Sequence, residues 1–244
     1  MRGLLSFLYG VVAYATGLIA LLYFIGFSGN LLVPKSVDTG VGAGWVEAVV
    51  TDLLLLALFG VQHSVMARRG FKRWWTRVVP PAVERSTYVV ATSAVLVLLF
   101  WFWVPIAAPV VWHVEVGLGA TLLWGLFGLG WLLVLVSTFL INHFELFGLQ
   151  QVFMRLRRRS MPEARFRTPL LYRHVRHPLY TGLLLGLWSV PVMTFGRLLF
   201  ALGLSVYILV GIAFEERDLM EQFGERYRRY RAEVGMLLPW RSRS

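Results

Sequence analysis

The stretch Tyr172-Arg173-His174-Val175-Arg176-His177-Pro178-Leu179-Tyr180-Thr181-Gly182 gathers many of the chain's reactive side chains. Arg173, His174, Arg176 and His177 place four cationic or protonatable groups within five residues. Pro178 has no backbone N–H and suits the first position of a helix. A helix opening there turns the positive end of its dipole toward the same side chains, which favours an anion such as a carboxylate or phosphate. A lipid headgroup would also satisfy the arginines, although anchoring needs no histidine. The second reactive block begins at Glu215-Glu216, after the last apolar run, and extends to Tyr230. Adjacent carboxylates at the end of an apolar span are costly unless hydrated or paired. They can hydrogen-bond ribose hydroxyls, hold an ammonium group or pair with nearby arginines. The two blocks bracket an apolar hairpin and read as two walls of a site for a charged ligand at a membrane surface.

Other polar residues interrupt apolar runs or their ends: Asp52, Gln62-His63, and Asn142-His143 with Glu145. His63 and His143 fall at similar depth near the ends of two runs. An imidazole titrates near neutrality and can accept a proton; the alternative for each is a hydrogen bond between spans. Asp52 lies deeper and reads as the partner of a Tyr, Thr or Trp on another span. The chain has no cysteine, which excludes disulfides, thiolate metal ligation and a cysteine nucleophile. No histidine or carboxylate cluster has convincing ligand spacing, so no metal is expected. Haem is the reading from another class, resting on His63, His113, His143, His174 and His177. Haem ligation in a helical bundle wants two facing histidines at matched depth. His113 falls at the opposite membrane face, and His174 with His177 sits in a loop.

These residues need elements to hold them. Apolar residues make up 57% of the chain and charged ones 15%, more apolar than a soluble domain. The runs reach the roughly 20 residues a membrane helix needs. The expected fold is all-α: a polytopic transmembrane helical bundle of five to six spans, with a C-terminal helical hairpin and a cytoplasmic helical tail. A single integral membrane domain covers 1–244. Arg2 opens a long apolar run without a cleavage pattern, so the N-terminus reads as a first span. Four spans, Leu4–Phe27, Val46–Met66, Ser86–Ala107 and Gly117–Ile141, fill 1–141. A cytoplasmic loop covers 142–178 and the hairpin 179–214, with arms Leu179–Phe195 and Leu198–Phe214 turning at Gly196-Arg197. The first arm is short and contains Pro191, so full crossing is least secure there. The tail, 215–244, closes the site. Over Phe214–Arg231 acids precede bases, an order that suits a helix starting near there.

Arg68, Arg69, Lys72, Arg73 and Arg77 follow the second span, Arg155, Arg157, Arg158 and Arg159 the fourth, and further arginines fill the tail. The positive-inside rule then puts both termini in the cytoplasm, and the expected location is a bacterial inner membrane. The net charge of +11 fits basic loops facing anionic lipid and points to the lipid bilayer as partner. The bases lie beside spans rather than on a soluble module, so no nucleic acid is expected. No obligate protein partner is inferred.

The pattern Arg176-His177-Pro178-x-Tyr180-x-Gly182, followed by Glu215-Glu216-x-x-Leu219-x-x-x-Phe223-Gly224-x-x-Tyr227-x-x-Tyr230, resembles the isoprenylcysteine carboxyl methyltransferase superfamily of membrane enzymes. It covers roughly 170–239. The superfamily often continues with Val-Pro, whereas here Gly235 follows Val234, which leaves the fold of the tail open. Gly26-Phe27-Ser28-Gly29-Asn30, Val61 to Arg68, Phe71-Lys72-Arg73-Trp74-Trp75, Glu84-Arg85-Ser86-Thr87-Tyr88 and Asn142 to Leu149 resemble the bacterial methanethiol S-methyltransferases, which are similar to the NnrU group. Together these resemblances cover nearly the whole chain.

The resemblance implies an S-adenosyl-L-methionine-dependent methyltransferase acting on a small thiol, methanethiol, to give dimethyl sulfide. Arg173, His174, Arg176, His177 and Tyr180 would line the amino-acid and adenosine ends of the cofactor. Glu215 or Glu216 would take the ribose or ammonium. Tyr227, Tyr230 and Arg231 would close a lid. Methyl transfer from a sulfonium is an in-line displacement that needs alignment and exclusion of water. A thiol reacts as its thiolate, so a base is expected among His143, His63 and Glu145. A prenylcysteine carboxylate or lipid amine is the alternative acceptor, and an NnrU-like accessory role the alternative outside catalysis.

Overall fold

Long leucine-rich runs without internal proline become long helices. The computed structural model describes residues 2–162 and 166–239. The helices are α1 (Arg2–Gly29), α2 (Trp45–Ala67), α3 (Arg69–Trp75), α4 (Pro81–Phe102), α5 (Leu118–Ile141), α6 (His143–Leu146), α7 (Leu149–Leu156), α8 (Pro178–Trp188), α9 (Phe195–Phe223) and α10 (Glu225–Glu233). Strands β1 (Val110–His113) and β2 (Val192–Thr194) pair with each other. Among the described residues α1, α2, α4, α5 and α9 are long and apolar enough to cross a membrane. Their outward leucines and valines are exposed. Such faces suit lipid, where every backbone group must be satisfied within the helix. The chain is an all-α, multi-pass membrane protein.

Two compact units divide it. The first holds the chain up to Val111, Asn142–Pro162 and Thr194–Phe200; the second holds Trp112–Ile141, the chain up to Met193 from beyond Pro162, and the chain from Ala201 on. In the first unit α4 packs on α1 and α2, and α7 packs on α1. Phe27, Phe100, Trp103 and Phe200 form its aromatic core, with ring centroids 5.0 Å apart for Phe27 and Phe100 and 5.2 Å for Trp103 and Phe200. The third span ends at Phe102 rather than at Ala107. Pro105 disfavours a helical residue before it, and the Val104 N–H donates to Asp52 Oδ1 at 2.9 Å. Asp52 is thus a structural residue, but its partner is a backbone amide at the end of α4. The span also starts earlier than Ser86, with Pro81 at its first position.

Gly196-Arg197 is not a turn. Both residues lie in the first turn of α9, and Arg197 is only 4% exposed. Asp38 Oδ2 holds Arg197 Nη2 at 2.9 Å and Nε at 3.1 Å, while Thr194 Oγ1 donates to Asp38 Oδ1 at 2.5 Å. Asn30 Nδ2 donates to Asp38 at 2.7 Å. Oδ2 thus accepts from both guanidinium nitrogens while Oδ1 accepts from Thr194, and charge-assisted bonds of this kind are short and strong.

In the second unit α8 packs along α5. A Cβ on Gly130 would lie 2.5 Å from Gly186 N and 2.7 Å from Gly182 O; one on Gly182 would lie 2.6 Å from Gly130 O. The two helices therefore touch backbone to backbone, as small residues allow between membrane helices. The glycine that ends the Arg176-to-Gly182 pattern is this contact. Helix α8 stops at Trp188, roughly 16 Å from its start at 1.5 Å per residue. The extended stretch beyond it continues along α5: Trp112 Nε1 donates to Val190 O at 2.9 Å and Val114 N to Pro191 O at 2.8 Å. Chain from Gly182 beside Val134 to Pro191 beside Val114 thus runs back to the start of α5. The apolar stretch from Leu179 to Phe195 is helix as far as Trp188 and then extended, with β2 at Val192–Thr194. Gly182→Ala is expected to cost roughly 2–3 kcal/mol, the upper range for overpacking, because the clashing atoms are backbone. Thermal unfolding in detergent checks this, and an unchanged midpoint would contradict the close contact.

The acidic pair also sits differently from expectation. Helix α9 runs without a break through Glu215 and Glu216 to Phe223, so no helix starts near Phe214 and the dipole order inferred there does not apply. The break comes at Gly224, whose φ of +55° and ψ of −129° suit glycine alone. The expected loop 142–178 contains α6, α7 and a 3₁₀ turn, Leu170–Arg173.

Candidate functional site

The site grows from the start of α8. Pro178 takes the first helical position and His177 caps it. Beyond α10 the chain forms a strap beside this cap. Val175 pairs in parallel with Gly235, Arg176 N donates to Gly235 O at 2.9 Å and His177 N to Met236 O at 3.1 Å. The Thr181 hydroxyl donates to Leu237 O at 2.8 Å. The N–H groups of Arg176 and His177, just ahead of α8, are thus taken by strap carbonyls rather than turned to an anion. The sequence Val234-Gly235 in place of Val-Pro keeps an N–H and a small residue where the strap pairs.

The two reactive blocks meet. Glu216, 5% exposed, accepts from Arg176 Nε at 2.8 Å and contacts His177 Nε2 at 3.2 Å through Oε1. Its Oε2 lies 3.1 Å from Arg231 Nε. Arg176 Nη1 also donates to Arg231 O at 2.9 Å and Val234 O at 2.5 Å. His177, 4% exposed, reaches Glu215 Oε2 through Nδ1 at 3.8 Å. One imidazole thus joins both carboxylates. Charge-assisted bonds of this kind are the strong ones, and the cluster ties α8, α9, α10 and the strap together. Arg231 is the outermost partner, its side chain 48% exposed.

An aromatic wall adjoins the cluster. Phe166 contacts Phe223, Tyr227 and Tyr230 at 5.5, 6.0 and 5.4 Å between ring centroids. The Tyr230 hydroxyl donates to Tyr172 O at 2.5 Å. Burial pushes the Tyr230 phenol up to about 12, against an opposing pull from Arg176 and with a smaller push from the Glu216 carboxylate. Burial also raises the Tyr227 phenol, with Glu216 and Glu215 adding to it. Tyr227 is 2% exposed, and its hydroxyl has no hydrogen-bond partner among the described residues. A buried hydroxyl left unmatched is costly. Beside carboxylates and aromatic faces, it suits a ligand that carries hydroxyls, an amine and a flat ring.

Of the residues expected to bind the cofactor, Arg176, His177, Glu215, Glu216, Tyr227, Tyr230 and Arg231 are gathered here. Tyr180 lies against His177, ring centroids 5.6 Å apart. Arg173 and His174 are exposed and stand outside the Glu216 cluster; the 3₁₀ turn directs them away from it. Phe166 went unsuspected, because a lone phenylalanine in a basic stretch carries no signal of its own.

His63, His143 and Glu145 belong to the first unit. His143 is buried, its Nε2 2.9 Å from the Tyr14 hydroxyl, with Phe144 and Phe147 around the ring. Burial pushes its pKa down, so it is neutral at neutral pH. Glu145 is exposed at the start of α6, where Asn142 Oδ1 accepts from Glu145 N at 3.3 Å and Asn142 Nδ2 donates to Glu145 Oε2 at 2.8 Å. That pair is a helix cap. His63 on α2 faces α4: its Nδ1 lies 3.4 Å from Thr92 Oγ1, and its ring lies 5.0 Å from that of Tyr88. Each of the three has a structural partner.

A methanethiol S-methyltransferase of Mycobacterium tuberculosis is 53% identical over 240 residues, covering 98% of this chain and 98% of its own. One from Pseudomonas deceptionensis is 55% identical over 236 residues, 97% of this chain and 90% of its own. More distantly, Nurim of Sus scrofa is 33% identical over 204 residues, 77% of each chain. No family model matches, and no solved structure matches. At this identity and over nearly its full length, the chain belongs to the methanethiol S-methyltransferase family.

Proposed function

We propose that this protein transfers a methyl group from S-adenosyl-L-methionine to methanethiol, forming dimethyl sulfide. The observation that carries the reading is the meeting of Arg176-His177 with Glu215-Glu216 beneath a buried, unmatched Tyr227 hydroxyl. The relatives' name supplies the thiol. When bound, the donor supplies an electrophilic methyl group on a cationic sulfur. Glu216 and Glu215 hold the ammonium or ribose hydroxyls, Tyr227 donates to a ligand acceptor, and Phe166 with Tyr230 offers ring faces. Glu216 is already matched by Arg176, His177 and Arg231. Its charge is therefore not spent on stabilising the sulfonium, which would slow a reaction that discharges that cation. Arg231, the most exposed partner, releases Oε2 to the ligand. The strap and α10 exclude water from the reacting atoms.

The arginines beside α3, those after α7 and those along α10 each support a cytoplasmic face for their own segment, by the positive-inside rule. Both termini are cytoplasmic, in a bacterial inner membrane, with the sixth passage along α5 keeping the count even.

Purified protein given labelled S-adenosyl-L-methionine and methanethiol is expected to release labelled dimethyl sulfide into the headspace, with prenylcysteine and phospholipid amines left unlabelled. Label in a lipid acceptor and none in the volatile product would overturn the thiol.

A further inference from the structure

The first unit carries a cavity of about 490 Å³. Phe7 of α1, Asn142, Phe144 of α6, and Leu149, Gln150 and Phe153 of α7 line it. Its polar groups are already engaged: Asn142 Nδ2 donates to Gln150 Oε1 at 2.5 Å and to Glu145 Oε2 at 2.8 Å. What is left for an occupant is a wall of phenylalanine rings and a leucine. Phe144 is 48% exposed and Phe153 41%. Leu4 and Val11, one helical turn to either side of Phe7, are exposed as well. The groove therefore opens on a face of α1 suited to lipid.

Charge gathers at one end of it. Helix α7 runs antiparallel to the first half of α1, since a Cβ on Gly10 would meet Val152 and one on Gly3 would meet Leu156. Arg155, Arg157, Arg158 and Arg159 therefore collect beside the N-terminal end of α1. None of them has a carboxylate partner among the described residues. The Arg157 guanidinium lies 5.4 Å from the centroid of the Phe153 ring, so the cation and the apolar wall form one surface. Arg158 closes α7 at a φ of +55°, with Arg159 N donating to Met154 O at 2.9 Å. Glycine suits that left-handed position better, so the turn itself does not ask for a base.

We propose that this groove holds an anionic phospholipid of the surrounding bilayer, with an acyl chain against Phe7, Leu149 and Phe153 and the phosphate on Arg157 and its neighbours. A guanidinium fork meets phosphate oxygens at its edge while its face stays on the ring. A wholly apolar occupant leaves the arginines unmet, a free phosphate leaves the groove empty, and a zwitterionic lipid brings a cation against the bases. The cavity seats little more than one turn of a helix, which is about 10 Å across, so an acyl chain fits it better than a partner helix does. Held there, the lipid bridges α1, α6 and α7.

The test uses the full-length protein in detergent, titrated with phosphatidylglycerol or phosphatidylcholine of the same acyl chains. Phosphatidylglycerol at about 100 times its dissociation constant is expected to raise the unfolding midpoint by roughly 5–10 °C. Phosphatidylcholine raises it by less than half as much, and native mass spectrometry retains a single phosphatidylglycerol on each chain. The triple variant Arg157→Gln, Arg158→Gln, Arg159→Gln is expected to keep the lipid-free midpoint and to lose about 10- to 100-fold in phosphatidylglycerol affinity. Phe153→Ala is expected to weaken both lipids. Equal shifts from the two lipids in the wild-type protein, or an undiminished preference for phosphatidylglycerol in the triple variant, would overturn the proposal. A wild-type response in Phe153→Ala would place the lipid outside the groove and overturn it too. Glycerol phosphate giving the full shift would make this a site for a free anion, and a dimer lost in Phe153→Ala with no lipid retained by the wild type would give the groove to a second copy; either result rules out the lipid.

Discussion

Glu216→Ala is expected to abolish detectable binding of S-adenosyl-L-methionine and to destabilise the protein by about 3–5 kcal/mol, the range for removing one partner of a buried ion pair. Its carboxylate faces Arg176, His177 and Arg231 at 2.8, 3.2 and 3.1 Å. Deleting it leaves Arg176, whose side chain is only 10% exposed, with a buried charge and only backbone carbonyls to meet it. Glu216→Gln separates scaffold from site. The amide still accepts from Arg176, so the unfolding midpoint falls less, yet the charge that draws the ligand's ammonium is gone and calorimetry still shows no binding. A Glu216→Gln protein that binds the cofactor normally would confine Glu216 to the scaffold.

Asp38→Ala is the second large effect, and it concerns stability alone. It strands Arg197, 4% exposed, without its only carboxylate among the described residues. The expected cost is again about 3–5 kcal/mol. The Asp38→Leu, Arg197→Met double replacement recovers most of it, because an apolar pair of similar volume removes the buried charge altogether. Thermal unfolding of the single and double variants in detergent decides. A double variant no more stable than Asp38→Ala would mean that the hydrogen bonds from Asn30 and Thr194, rather than the charge of Arg197, set the stability there.

Much of this was legible in the chain. Uninterrupted apolar runs located α1, α2, α5 and the start of α9 to within a few residues, because length and hydropathy alone decide what a bilayer admits; α4 is shifted toward the N-terminus at both ends. Pro178 marked the start of α8, but the expected helical arm to Phe195 ends at Trp188, because Pro191 has no N–H to carry the helix further. What hydropathy could not locate was the end of α9. Charged residues stop an apolar run without stopping i to i−4 hydrogen bonds, so Glu215 and Glu216 ride on the helix itself until Gly224. Arg173 and His174 misled for a related reason: neighbours in sequence are not neighbours around a 3₁₀ turn. Arg197 read as a hairpin turn because its partner, Asp38, lies 159 residues away, beyond the reach of any local pattern. Arg176, His177, Glu215 and Glu216 stood out by residue type and spacing, whereas Tyr227 and Arg231 were recoverable as site residues only through a family pattern.

The strap, Val234 to Leu237, follows α1, α2, α4, α5 and α9 in the chain. On the proposed function, a ribosome that stalls after α9 would leave those five helices made and the nucleoside without its closing strap. Fragments from such interrupted translation would then be chemically silent.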